Sequence, residues 1–428
     1  MIARKLQLLL LLPLCACAAM LISQPVKAQT SFTWEQIKAK FEAANPTLQA
    51  DETNVQEMKA NEITADLRPN PQFTLSQDGT QLAPNDGVWQ PMSGTFVVPS
   101  ISYLHERDHK RELRLKSAQQ GTQIATSAHA DLERNLLFNL RSVFVQTLQA
   151  KAVLAVAQRE LDYYDQIIHI SQARFQAGDL AQVDLDRIEL QRVQYEADLQ
   201  TAEVNLRTAK IQLLQLLDDR TPVDQFHIQG PFNFSDQLPP LETVRQVALD
   251  TRPDLRAALE SLQQATTNHK LAVANGSTDP TFSGWYTWNA STNNPYATQT
   301  LGASVSIPLR IFDRNQGEKE RTQLDIGRNQ QVKDATRAQV FADVDSAYAQ
   351  LNSNLILLRP YRSQYLSQAA RVRDTITFSW QHGGASLMDF LNAQSDYRNV
   401  QLAYVQLIGA YLTAAAQLNL AVGREVIQ

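Results

Sequence analysis

Two histidines lie at a spacing that could bind a metal ion. His105 and His109 are four residues apart at a predicted strand-to-helix junction, as two metal ligands on one helix face would be. No third ligand is evident, and the stretch 106–116 is a surface of mixed charge. The sequence also contains no nucleophile-elbow pattern, P-loop or dinucleotide fingerprint. We therefore predict no metal site, no cofactor and no enzymatic activity.

The sequence predicts the start of a helix near the C-terminus. Ser386, followed three residues later by Asp389, predicts a capping box, and a carboxylate at this place also suits the helix dipole. Asp184 is the corresponding carboxylate in the first half of the chain.

The composition excludes some classes of function. The chain has 428 residues, with 39 basic against 44 acidic side chains and no basic block, which argues against nucleic-acid binding. With 43% hydrophobic and 19% charged residues it is typical of a soluble globular protein. Beyond the N-terminal segment no stretch approaches roughly 18 consecutive apolar residues, so we predict no transmembrane helix.

The first residues read as an export signal. Residues 1–28 contain two early basic residues, an apolar stretch and small residues before the predicted cleavage point after Ala28. Cleavage there removes both cysteines, Cys15 and Cys17. The alternative is a lipoprotein site with Cys17 acylated.

The second half of the chain repeats the first at an offset of roughly 205 residues. Phe175, for example, corresponds to Trp380. We predict a first repeat at 29–217 and a second at 242–428, each with a helix, two short strands and two long helices. The segment 218–241 between them contains four prolines and is predicted to be a linker.

Long helices dominate both repeats. The segment 122–177 contains no glycine or proline, and a helix of this length spans about 84 Å. The others are predicted at 180–217, at 317–377 with a kink at Pro360, and at 386–422. The last helix carries a heptad seam of apolar residues, and the helix at 180–217 carries two. Its second seam consists of Leu190, Val193, Ala197, Val204, Ile211 and Leu214. Two seams predict two neighbours, as in a closed ring of helices, with a helical bundle as the alternative.

Four short strands alternate apolar with polar residues. They are predicted at 72–82, 94–103, 282–288 and 301–309, with the pattern of strands that cross a bilayer. Four strands cannot close a barrel, and eight strands from two chains would be filled by side chains. We therefore predict a mainly α fold with a small β part: a trimeric twelve-stranded β-barrel, four strands per chain, continued by a long α-helical barrel.

The chain resembles the TolC-type outer-membrane efflux proteins. Residues 380–394 are similar to that family's segment of an aromatic residue, a glycine and then Asp-x-Leu-x-Ala, and 174–179 with Asp184 match the first-half version. The resemblance covers about 32–424. It implies a homotrimer in outer-membrane lipid, with a tunnel crossing the periplasm to a periplasmic adaptor and an inner-membrane transporter.

The resemblance also implies site residues at the periplasmic tip. Asp389 aligns with an aspartate that lines the aperture, Asn392 replaces a second such aspartate, and Asp184 aligns as a partner in tip contacts. A plain helix-cap role for Asp389 and a solvated helix-start role for Asp184 are equally open. The candidates for adaptor docking are Phe175, Gly178, Asp179, Trp380, Gly383 and Gly384. The glycines are equally explained by the turns. Trp380 is the sharper candidate if it is an exposed aromatic residue, and packing inside the tip is the alternative.

The function implied is a passive exit duct for small molecules or ions. The alternatives are an exit duct for type I protein secretion and a periplasmic coiled-coil adaptor that does not conduct. The sequence does not identify the cargo, the pump or the resting state of the duct.

Overall fold

The computed structural model describes residues 31–289 and 296–427. The predicted signal and lipoprotein sites therefore lie outside the described residues. The elements follow the order predicted for each half, preceded by a short strand and with the helix ahead of each strand pair in two parts. In chain order they are β1 Ser31–Phe32, α1 Trp34–Ala44, α2 Pro46–Asp66, β2 Gln72–Asp78, β3 Phe96–Leu104, α3 Lys110–Gln176, α4 Gln182–Leu216, β4 His227–Ile228, α5 Leu241–Thr251, α6 Pro253–Asn275, β5 Thr281–Trp288, β6 Gln299–Ser306, α7 Gln316–Pro360, α8 Leu366–Gln381 and α9 Leu387–Val422.

The four predicted strands form one antiparallel sheet in the order β2-β3-β5-β6. The register pairs Gln72 with Ser102, Tyr103 with Phe282 and Thr281 with Ser306. The strands are seven to nine residues long. Strands β2, β3 and β6 are shorter than the predicted spans, whereas β5 is one residue longer. Within the described residues β2 and β6 are the two edges of this sheet.

The two faces of the sheet differ in polarity. One face carries Phe73, Ile101, Phe282, Leu301 and Val305, all of which are exposed in the single chain. Because directly paired residues share a face, the register places serine, threonine and glutamine residues together on the other face. A sheet with one exposed apolar face and one polar face is the pattern of a lipid-facing barrel wall.

The apolar exceptions on the polar face are Phe96, Val98 and Leu104 of β3 and Trp285 of β5. Trp285 is the largest of them. It pairs with Gly302, and its ring lies across that glycine. A Cβ atom at position 302 would come within 2.3 Å of the indole ring, so only glycine fits beneath it.

The long helices pack side by side. Helix α3 has 67 residues and extends about 100 Å, longer than predicted because it begins at Lys110 and continues through Gly121. It packs on α2 and α6 towards the sheet and on α4 and α9 away from it. The predicted interruption at Pro360 is confirmed: α7 ends there, and a single π-type turn, Tyr361–Tyr365, leads into α8.

The heptad seams have different environments. The apolar seam of α9 is buried or half-buried along its whole length, as is the matching seam of α4. Arg192, the polar exception in the α4 seam, forms an ion pair with Asp165 of α3 at 2.6 Å. The second seam of α4 is exposed except for Leu214. Its neighbour is therefore not supplied by the described part of this chain.

The N-terminal residues and the linker meet in a small sheet that the sequence analysis missed. Strands β1 and β4 pair in parallel, and Phe32 stacks on Phe226 with ring centroids 5.6 Å apart. Strands of two residues carry too few positions for an alternation of apolar and polar residues to be read.

One helix has the length and mean hydropathy of a membrane-spanning segment, although the sequence contains no run of consecutive apolar residues of that length. Among the described residues, α9 contains an 18-residue window that is long and apolar enough to cross a membrane. More than half of that window is buried inside the chain. The apolar composition is therefore accounted for by packing against α3, α7 and α8.

Candidate functional site: the paired helix tips

Two helix-to-helix turns form the end of the molecule far from the sheet. The first joins α3 to α4. Gly178 adopts a φ of +85°, its N–H donates to the carbonyl of Phe175 at 3.0 Å, and the N–H of Asp179 donates to that of Arg174 at 2.9 Å. These bonds satisfy carbonyl groups that the end of a helix otherwise leaves free.

The second turn, between α8 and α9, uses the same bonds at the corresponding positions. Gly383 has a φ of +77° and donates to Trp380, while Gly384 donates to Ser379. Space around Gly178 and Gly383 is open, so the positive φ alone explains the glycines. The turn geometry accounts for both residues without a partner protein.

The predicted capping box at the start of α9 is confirmed. The Ser386 hydroxyl accepts from the N–H of Asp389 at 3.1 Å, and the Asp389 carboxylate accepts from the Ser386 N–H at 3.2 Å. Hydrogen bonds from the hydroxyl and then the backbone of Ser386 hold the pKa of Asp389 below its usual value. The carboxylate is exposed and ionised at neutral pH.

The other two aperture candidates, Asn392 and Asp184, lie near the starts of α9 and α4. Asn392 is exposed one turn beyond Asp389, and residues three apart share a helix face. Asp184 is half-buried in the first turn of α4, where its N–H donates to the carbonyl of Ala181 at 3.0 Å. All three therefore lie at the tip end of the structure.

Trp380 is not exposed: of the two alternatives that the sequence leaves open, the structure shows packing inside the tip. Its side chain is 3% exposed and stacks on Phe390 with ring centroids 4.5 Å apart. Both rings belong to a cluster with Ile167 of α3 and Ile188 of α4. Burial of the apolar ring between two helix pairs is more favourable than exposure at the turn.

Arg174 fastens the two tips together, a role that the sequence analysis missed. Its guanidinium lies over the Trp380 ring at 5.1 Å and donates to the Trp380 carbonyl at 3.3 Å. Arg174 precedes Phe175 at the end of α3 and belongs to the segment 174–179 that the sequence analysis identified. Its contact with the second repeat depends on three-dimensional packing and has no local signal in the sequence.

The remaining docking candidates stay on the surface. Phe175 is 37% exposed, and Gly178 and Asp179 lie in the exposed turn between α3 and α4. Gly384 is exposed in the turn between α8 and α9. Of the two aromatic docking candidates, Phe175 therefore contributes to the apolar surface at the tip and Trp380 does not.

A buried carboxylate lies behind the tip cluster, on the next turns of α3. Glu160 is 5% exposed and borders a cavity of about 240 Å³. Burial raises its pKa, an effect opposed by Arg373 of α8, Arg159 of α3 and Arg398 of α9. On the α4 side the same cavity is lined by Tyr195 and by Asp198, which is paired with Arg398 at 2.6 Å.

The comparisons with known proteins agree with this architecture. A model of the family described as outer membrane efflux protein matches residues 244–424. The chain is 22% identical over 412 residues to the cobalt-zinc-cadmium resistance protein CzcC of Cupriavidus metallidurans, covering 94% of this chain and 92% of CzcC. It is 23% identical to the outer membrane protein TolC of Escherichia coli, covering 73% of this chain and 66% of TolC.

Solved structures show the same fold. CusC, described in the context of transmembrane channel formation, has a TM-score of 0.75 at 17% identity, with 91% of this chain and 92% of CusC covered. The outer membrane protein VceC of Vibrio cholerae has a TM-score of 0.73 at 15% identity, with 92% and 97% covered.

A long helical hairpin array joined to a four-stranded sheet with one lipid-type face defines the outer-membrane efflux channels. The family model over 244–424, the distant relatives and the fold together make this chain similar to the TolC-type outer membrane efflux proteins. It is an outer-membrane channel that extends into the periplasm, and not an enzyme.

Replacing Trp380 by alanine is expected to loosen the tip. The cavity left in a buried aromatic cluster costs about 3 to 5 kcal/mol, so Tm measured by circular dichroism at 222 nm should fall. Phe175→Ala is the matched control at the corresponding position, and it should lower Tm much less because that ring is partly exposed. An equal loss of Tm in the two variants would contradict the packing described for Trp380.

Glu160→Gln is expected to stabilise the protein at pH 8 and not at pH 4.5. Because the folded-state pKa is raised, the stability that the neutral carboxyl contributes is complete below its ordinary pKa and is lost as the pH rises through the folded-state pKa. Tm of the variant and of the wild type, measured at both pH values, checks this. Glu203→Gln, an exposed site on α4, controls for the loss of one charge, and identical Tm values at pH 8 would refute the assignment.

Proposed function

We propose that three copies of this chain form a closed duct that carries solutes out of the cell. The sheet supports this, because its edge strands β2 and β6 have no partner on their outer sides within the described residues. Backbone groups inside a bilayer must be paired, and only a closed barrel pairs all of them. Three four-stranded sheets give a twelve-stranded barrel wide enough to conduct.

The helices support the same assembly. The exposed seam of α4 forms one side of the helical wall, with Leu190, Val193, Val204 and Ile211 all 48% exposed or more. Helices α7 and α8 form the other side and expose Leu324, Ile356, Val372 and Phe378. Two apolar sides on one protomer match a head-to-tail ring, in which one side of each copy covers the other side of the next.

The two repeats, 29–217 and 242–428, would then supply equivalent parts of the wall, joined outside it by the linker 218–241. The matched turns at Gly178 and Gly383 support this division. The two tips of each protomer would together make six tips at the periplasmic end. These are the surfaces proposed to meet a periplasmic adaptor coupled to an inner-membrane transporter.

The cargo we propose is a small solute, and metal cations are the favoured class. The similarity to the cobalt-zinc-cadmium resistance protein spans nearly the full length of both chains, whereas the similarity to TolC covers about three quarters of this chain. Export of a secreted polypeptide is the second candidate. A non-conducting adaptor is disfavoured because the sheet carries a lipid-type face.

We further propose that Asp389 lines the aperture. Three ionised carboxylates would form a negative ring, while Asn392 leaves the next position uncharged. Asp389→Asn keeps the capping hydrogen bonds largely intact and is expected to reduce the preference of the channel for cations, measured as the reversal potential in a salt gradient. Glu203→Gln, at an exposed carboxylate of α4 away from the tip, is the control and should leave the reversal potential unchanged. An unchanged reversal potential for Asp389→Asn would refute the aperture role.

Charges introduced into the α4 seam are expected to abolish the duct. In Val193→Glu with Val204→Glu, two carboxylates would be buried between subunits without partners, at a cost that exceeds a typical interface contact. The double variant should lose single-channel conductance in planar bilayers. It should also fail to restore the resistance of a deletion strain to cobalt, zinc and cadmium salts.

Glu203→Lys, on a flank of the same helix, is the matched control and should conduct normally. Normal conductance in the double variant would contradict the seam as the subunit interface. The wild-type protein could instead restore the resistance of the deletion strain to dyes or antibiotics and not to the metal salts. That result would exclude metal cations as the cargo and leave the proposed duct intact.

A further inference from the structure

Arg141 on α3 is half-buried and stacked on two aromatic rings. The Arg141 guanidinium on α3 lies flat over the Trp34 ring at 4.4 Å and near the Phe144 ring at 5.8 Å. Within the described residues it makes neither a hydrogen bond nor an ion pair. Burial lowers its pKa, an effect only partly opposed by Glu425 and Glu35. A guanidinium whose face is stacked and whose edge is unpaired has N–H donors free for a ligand.

The arginine borders a cleft that is rich in positive charge. The cleft has a volume of about 340 Å³ and lies between α1, α3, the start of α6 and the end of α9. Its charged lining consists of Lys38, Arg134, Arg141 and Arg424 against Glu133 and Glu425. Arg134 is already engaged by Asp131 and by the carbonyl of Leu420. Lys38 is paired with Glu42 at 3.8 Å, so Arg141 and Arg424 are left as the lining cations without partners among the described residues.

A neighbouring subunit is not the expected occupant. The cleft opens in the middle of the protomer, between α3 and α9, whereas the exposed apolar sides lie on α4 and on α7 and α8. Copies joined along those sides leave the cleft open. Its volume falls at the lower end of the range for small-molecule sites, roughly 300 to 1,000 Å³.

We propose that this cleft binds a small oxyanion, a carboxylate or a phosphate, on the edge of Arg141. Two oxygens of such an anion can accept from the guanidinium edge in the bidentate geometry that arginine favours. Trp34 keeps the guanidinium plane fixed, and Arg424 and Lys38 supply further positive charge at the mouth of the cleft. No part of the proposed conduction path is needed for this site.

Isothermal titration of the full-length protein in detergent tests the proposal. Disodium succinate and inorganic phosphate are titrated separately at constant ionic strength set with chloride. We expect at least one of the two to bind saturably, with one site per chain. Arg141→Gln should weaken that binding at least tenfold, and Arg141→Lys should give an intermediate loss because it keeps the charge but not the fork of donors.

The matched control is Arg321→Gln, at an exposed arginine of α7 that is paired with Glu318, and its affinity should equal that of the wild type. Trp34→Ala should weaken binding by releasing the guanidinium from its platform. The absence of saturable binding for both anions, or equal affinity in Arg141→Gln and the wild type, overturns the proposal. Conductance of the same samples reports separately on the duct.

Discussion

A strand that crosses a bilayer must have every backbone hydrogen-bonding group paired, and this constraint governs the rest of the molecule. Hydrocarbon offers no water to the N–H and C=O groups, so an open sheet edge is not tolerated there. One chain supplies four strands with two open edges. In the proposed trimer, each chain therefore supplies one third of the barrel wall. Its exposed helix seams follow from the same division, since a wall built from three copies must leave each copy with uncovered sides.

The helical part explains why the composition looks like that of a soluble protein. In the part of the chain that the structure describes, four strands of seven to nine residues have the lipid-type face, while helices of 35 to 67 residues build most of the wall. Their apolar residues lie in narrow seams and their remaining faces are polar. Even α9, the most apolar of them, uses its composition for packing inside the chain.

Much of the fold could be predicted from periodicity and repetition. The alternation of residues around Leu301 located a strand, and the absence of helix breakers located α3, because both signals act over a few neighbouring residues. The environment of Trp380 could not be predicted in the same way. Whether an aromatic residue beside a turn is exposed or buried depends on what the other repeat brings next to it, here Arg174 and Phe390.

The tip shows how structural and functional requirements share the same residues. Gly178 and Gly383 are explained by their positive φ, and Asp389 caps α9. An aperture role for that carboxylate is compatible with the cap, because the cap itself keeps the group ionised and on the surface. Arg141 is a contrasting case, since neither local structure nor an ion pair within the described residues accounts for it.

The mass of the purified protein tests the central claim most directly. Native mass spectrometry after gentle removal of detergent should give a single species of three chains, each slightly lighter than the 48.0 kDa precursor if the predicted signal is removed. A species of one chain that remains folded in detergent would contradict the account, because its sheet edges and its α4 seam would then have no partner.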